Sequence, residues 1–164
     1  MSATRDENAV RRWVFLLRLS SRAGVLSALT AVFADRGVSI ETLSAHDASV
    51  GGPLGSAVLT FAATAAKKDY LARLLRRLSV VTEVTEYRYE DAAHARKSVT
   101  ARVSMSGADL RALLPPMVIC DVIAETPAET VALLLGPPPS LDHVLASLDQ
   151  RGLLLASDAS VVVV

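Results

Sequence analysis

Cysteine, aromatic side chains and an excess of either charge are what this chain of 164 residues has least of. Its one cysteine, Cys120, excludes an internal disulfide and lies in the apolar run Met117-Val118-Ile119-Cys120, the setting of a packed core thiol. Lys plus Arg and Asp plus Glu stand at 17 each, so no global field is available to hold nucleic acid or an anionic membrane. Aromatics are 4% against a hydrophobic fraction of 51%, which makes the core aliphatic, drawn mostly from Leu, Val and Ala. No apolar run approaches the ~20 residues that span a bilayer. Met1 to Val10 is polar and lacks the apolar stretch of a secretory signal, so a cytoplasmic location is expected. The histidines, His46, His94 and His143, have no metal-ligand spacing, and neither a nucleophile elbow nor a phosphate-cradling glycine pattern occurs. No catalytic residue, metal or cofactor is therefore expected, and each histidine reads as an ordinary surface or partly buried residue.

What is present is a repeating order of short apolar runs and helical periods. Trp13 to Leu19 is too short and too continuously apolar for a surface helix and predicts a buried strand ending at Ser20-Ser21. From Gly24 onward Val25, Leu26, Leu29, Val32 and Phe33 fall on one helical face, with Arg36 closing the helix and Gly37 placed for a left-handed cap. Ser39 to Asp47 and Ala57 to Ala63 read as strands around the turn Gly51-Gly52-Pro53-Leu54-Gly55. A second helix carries Tyr70, Leu71, Leu74, Leu75 and Leu78 on its buried stripe, and Val80 to Tyr89 is a fourth strand. The charged, Ala-rich stretch 91–97 reads as a linker, after which the order recurs. Val99 to Met105 is a strand, Ala108 to Leu114 a helix stopped by Pro115-Pro116, and Met117 to Glu125 and Thr130 to Leu135 two more strands. A helix capped by Ser140 and carrying Leu141, Val144, Leu145 and Leu148 follows, then a last strand that includes Val161 to Val164. The expected fold is α+β: two ferredoxin-like βαββαβ units, spanning 11–90 and 98–164, each laying two helices on one face of an antiparallel sheet.

Chemistry concentrates at Ser20-Ser21-Arg22-Ala23-Gly24-Val25-Leu26, where a strand runs straight into a helix. The first N–H groups of a helix have no internal partner and its dipole favours an anion, so a free carboxylate would be held there. Gly24, lacking a Cβ, lets a ligand approach the backbone; the alternative is a tight turn capped by Ser21 and nothing more. Lys67, Lys68, Arg73, Arg76 and Arg77 make a basic helix face, read as solvated in preference to a docking patch. Phe15 and Phe61 fall on the central strands, where RNA-binding sheets carry stacking aromatics. With zero net charge and no glycine- and aromatic-rich third strand they are read as core or as packing between domains, and no nucleic acid is expected as a partner.

Arg12 to Glu86 resembles the ACT domain of the acetolactate (acetohydroxyacid) synthase small subunit. The resemblance rests on Arg22-Ala23-Gly24-Val25-Leu26, on Arg36-Gly37-Val38-Ser39-Ile40-Glu41-Thr42-Leu43, and on the closing Val81-Thr82-Glu83-Val84. The second half is similar to that family's C-terminal domain through Asp121-Val122, Leu135-Gly136 and Leu141-Asp142 to Leu148. The resemblance implies a non-catalytic regulatory subunit. It would form a homodimer through its ACT domains, bind a branched-chain amino acid, typically valine, at their interface, and modulate a thiamine-diphosphate-dependent catalytic subunit of branched-chain amino-acid biosynthesis. The implied ligand contacts are Ser21, Arg22, Ala23, Gly24, Val25 and Leu26, facing Ser39 and Ile40 at the start of the second strand. Ser21 and Ser39 stand where the family usually has asparagine, whose amide both donates and accepts. Loss of one such bond costs about 1–3 kcal/mol, roughly ten- to a hundredfold in affinity, which leaves open which amino acid is bound. The alternative is a stand-alone ACT protein that binds a different amino acid, or none, and acts on another partner.

Overall fold

Alternation along the first strand sends Trp13, Phe15, Leu17 and Leu19 to one side, and burying that side decides the architecture of the first half. The computed structural model describes residues 9–20, 22–46, 54–91 and 95–163. The chain divides into two compact units, Met1–Ala92 and Ala93–Val164.

The first unit contains β1 (Arg11–Ser20), α1 (Val25–Ala34), β2 (Ile40–His46), β3 (Leu54–Ala63), α2 (Ala65–Leu75) and β4 (Val81–Arg88). Its sheet has the order β2-β3-β1-β4 with every neighbouring pair antiparallel. The second unit contains β5 (Ala95–Val103), α3 (Gly107–Leu113), β6 (Ile119–Glu125), β7 (Thr130–Gly136), α4 (Pro138–Gln150) and β8 (Leu154–Val163). Its order, β6-β7-β5-β8, is the same arrangement again, also antiparallel throughout. The expected α+β class, βαββαβ twice, is what the chain adopts.

In the first unit Val25, Leu29 and Phe33 of α1 and Leu71, Ala72 and Leu75 of α2 close over the strand residues. Phe15, Phe33 and Phe61 are fully buried, and Phe61 meets the other two edge to face, with centroids 4.8 and 5.0 Å away. Phe15 and Phe61 are thus core residues. Gly37, at φ 63°, ends α1: its N–H donates to the Ala34 carbonyl and that of Val38 to Phe33, which satisfies carbonyls the helix leaves free. In the second unit Val99, Ala101 and Val103 of β5 meet Leu110, Leu134, Leu141 and Leu148.

Several local expectations differ. Leu54 and Gly55, expected in the turn, are paired in β3, and Leu26 of the expected apolar stripe is exposed. β5 starts at Ala95, so 95–97, expected in the linker, are paired strand: Lys97 sits opposite Gly136 and Val161. Its stem is buried on the helix side while its ammonium bonds Asp142 of α4, so a polar letter occupies a core position. α4 begins at Pro138, two residues before the expected cap Ser140, because prolines have φ preset for a first turn and need no N–H partner there. The Ser140 hydroxyl lies against Met117 Sδ instead. Tyr70 leaves the buried stripe of α2 and is exposed, with the guanidinium groups of Arg36 and Arg73 over its ring. Cys120 is only partly buried, since β6 is an edge strand, and burial pushes its thiol pKa up. Ser21, His94 and the turn residues Gly51-Gly52-Pro53 lie outside the described residues. Among the described residues no group of His, Cys, Asp and Glu is placed to hold a metal, and no helix is long and apolar enough to cross a membrane.

Candidate functional site

The end of β1 is fastened to β4: the Ser20 N–H donates to the Val80 carbonyl at 2.9 Å and its hydroxyl to the same oxygen at 3.3 Å. Beyond this anchor the chain passes through Arg22, Ala23 and Gly24, all exposed, into α1. Gly24 is the N-cap, at φ 83° and ψ 0°, a left-handed conformation that L side chains resist. The space where its Cβ would stand is empty to 4 Å. With no cap side chain and no acidic residue in the first turn, the positive end of α1 carries no anion of its own. The first helical bond runs from the Ala28 N–H to the Gly24 carbonyl, 3.0 Å, so the N–H groups of Leu26 and Ser27 precede it. Val25 points into the core and Leu26 is half exposed beside the turn. An open, bare helix start next to the Arg22 cation is suited to a carboxylate with an aliphatic group against Leu26.

Ser39 is exposed and Ile40, half-buried, packs against the core. They do not face the Gly24 turn within one chain. β1 and β2 both run antiparallel to β3 and hence parallel to each other, with α1 returning between them. Ile40 is level with Phe61 and through it with Trp13, whereas the turn follows Leu19, which is level with Gly55. Six strand residues separate the two levels, about 20 Å at ~3.3 Å per residue. The structure thus brings Arg22, Ala23, Gly24, Val25 and Leu26 together and sets Ser39 and Ile40 at the opposite end of the sheet. β2, which starts there, is an edge strand.

The basic face of α2 is largely committed to structure. The Glu86 carboxylate of β4 accepts from Lys68 Nζ and from Arg76 Nη2, each at 2.6 Å. Lys68 also pairs with Asp69 and stands 5.0 Å from the centre of the Trp13 ring. Burial by itself lowers the Lys68 pKa, but the hydrogen bonds and charges of Asp69 and Glu86 outweigh it and hold the ammonium above the ordinary lysine value. Lys67 and Arg77 remain exposed.

No protein-family model matches this chain, and no curated protein matches it. Among solved structures it is similar to the acetolactate synthase small subunit from Thermotoga maritima, with a TM-score of 0.71 at 14% identity over 94% of this chain and 96% of that one. It is more distantly similar to the ligand-free regulatory subunit of aspartate kinase from Thermus thermophilus, with a TM-score of 0.47 at 12% identity over 87% and 94% of the two chains. At 14% identity the first likeness establishes a shared fold over nearly the whole chain, the βαββαβ arrangement twice.

Proposed function

We propose that this chain is a non-catalytic regulatory protein that binds an amino acid between paired ACT units and modulates a partner enzyme. The observation that carries the reading is the placement of the two parts of the candidate site at opposite ends of one sheet, with the edge strand β2 spanning the distance between them. A two-fold pairing of β2 with β2 of a second copy is antiparallel. It brings Ser39 and Ile40 of one copy to the end of the sheet at which the Gly24 turn of the other lies, and it covers an open edge. Two equivalent sites result. In each, the bare start of α1 takes the carboxylate, Leu26 the aliphatic side chain, and Ser39 of the other copy a remaining polar group. The effector in this reading is valine or another aliphatic amino acid, and the partner a thiamine-diphosphate-dependent catalytic subunit of branched-chain amino-acid biosynthesis. The hydroxyls of Ser21 and Ser39, shorter than amides, favour keeping a second reading: the same dimeric sensor with a different effector and a different partner enzyme.

Calorimetric titration of the intact chain with the twenty amino acids tests the sensor. Heat is expected from at least one, with Gly24→Asp abolishing it by placing an anion in the site. Gly24→Asp and Ser39→Trp chains, each silent alone, should recover about a quarter of wild-type capacity when mixed and allowed to exchange. Half of the dimers are then mixed, and each has one intact site of two. Absence of heat at millimolar ligand sinks the sensor, and absence of recovery sinks the shared site. Co-purification of a thiamine-diphosphate enzyme separates the two readings of the partner.

A further inference from the structure

We infer that the second unit holds a separate binding cleft, between α3 and α4, for a short aliphatic monocarboxylate. The two units share a topology but differ in how their helices sit. In the first, α1 and α2 pack against each other; in the second, α3 and α4 scarcely meet. The cause lies in α3. It spans seven residues, Gly107–Leu113, before Pro115-Pro116 halts it. It leans on the edge strand β6, so closely that a Cβ on Gly107 would come within 2.9 Å of Val122. α4 packs instead over β5, β7 and β8. A cleft of about 300 Å³ is left between the two helices.

Its chemistry is that of an amphipathic anion site. Leu110, Val144 and Leu148, all buried in the core, form the floor, and Leu113, Leu114 and Pro115 form one wall, with Leu113 44% exposed. The other wall is a row of His143 and Ser147 on α4 and Arg151, the residue that caps its end, spaced by four and therefore aligned along one face. No carboxylate lines the cleft. The guanidinium of Arg151 has no ion-pair or hydrogen-bond partner among the described residues. The carbonyls at the end of α4 do not claim it either: Asp149 O accepts from the Gly152 N–H and Leu148 O from that of Leu153. A carboxylate on Arg151, with the half-buried Ser147 hydroxyl as second donor, leaves an alkyl chain running over Leu110, Leu113 and Leu148. The volume is at the small end of the ~300–1,000 Å³ range of ligand clefts, which suits a short acid. A zwitterion is disfavoured, because no acidic side chain is present to receive its ammonium.

The test is a ¹H–¹⁵N correlation titration of the full chain with hexanoate, with hexylamine as a probe of equal size and opposite charge. Hexanoate should give saturable shifts concentrated at Leu113, Leu114, Ser147, Leu148 and Arg151, and hexylamine should not. Arg151→Gln, an exposed change that leaves the melting curve in place, should weaken hexanoate about tenfold or more. Leu113→Asp should weaken it as well, and if that variant unfolds, the Arg151→Gln and hexylamine arms decide. Equal shifts with both probes, unaltered affinity in Arg151→Gln, or no saturable shift up to about 10 mM hexanoate overturns the inference. Amides of the Gly24 turn report on the first unit separately, so the outcome is independent of the amino-acid site proposed there.

Discussion

Replacing Phe61 by leucine tests the packing that holds the first unit together. Phe61 is fully buried and is the one ring that touches both Phe15 and Phe33 edge to face. Leucine restores most of the volume, so the void left is on the order of 20 Å³, worth about 0.5 kcal/mol. Two edge-to-face pairs vanish, each contributing about 0.5–1.5 kcal/mol beyond area burial. The expected loss is therefore about 1.5–3.5 kcal/mol. The chain has a single tryptophan, Trp13 on β1, 7% exposed with its indole N–H donating to the Ala63 carbonyl at 3.0 Å, so tryptophan fluorescence reports on the first unit alone. In a urea titration followed at this tryptophan, with a slope of about 1–2 kcal/mol per molar for a unit of this size, the midpoint should fall by roughly 1–2 M. Phe15→Leu breaks one of the two pairs and should cost less. The Phe15→Leu/Phe61→Leu double variant should fall short of additivity by about 0.5–1.5 kcal/mol. A loss below about 0.5 kcal/mol for Phe61→Leu, or strict additivity in the cycle, refutes the edge-to-face account.

Lys68→Met should cost the first unit about 1–2 kcal/mol at neutral pH, because Glu86 keeps only Arg76 as a partner. The folded protein holds the Lys68 ammonium above its ordinary value, so its contribution is complete through neutral pH and fades as pH climbs through that raised pKa, above roughly pH 10.4. The gap between the Trp13-monitored urea midpoints of wild type and Lys68→Met should narrow as pH rises above roughly 10.4, and a gap that stays constant would exclude this linkage. Gly136→Ala places a Cβ 3.0 Å from Val118 Cγ2 and 3.2 Å from the Met117 carbonyl. It should destabilise the second unit by about 1–3 kcal/mol, lowering its far-ultraviolet circular dichroism transition while the Trp13 transition stays in place. Thr130→Val keeps the shape of a fully buried side chain but removes its 2.7 Å hydrogen bond to the Met105 carbonyl. A loss of about 1–2 kcal/mol in the same transition is expected, and an unchanged midpoint would mean that bond is not needed.

The Gly24 turn was legible before any tertiary information because its signal is local: a strand, a residue without Cβ, and the first apolar stripe of a helix follow one another within seven positions. Its relation to Ser39 was not. Gly24 and Ser39 are near in sequence, and the motif that carries the resemblance treats them as one site, yet α1 carries the chain the full length of the sheet between them. The start of β5 was hidden for a related reason. Lys97 spells a linker by its charge, and only the Asp142 carboxylate on a helix 45 residues later makes its burial tolerable.

By itself, the sequence determined the order of elements, the duplication of the βαββαβ unit, the aliphatic core faces and the left-handed cap at Gly37, since periods of two and 3.6 residues and the demands of a helix end are set by near neighbours. Only the tertiary structure decided which of these features meet. The four-residue spacing of His143, Ser147 and Arg151 is written in the chain, but it borders a cleft because α3 leans on β6 and away from α4. That choice depends on contacts between residues far apart in sequence, which no local pattern encodes.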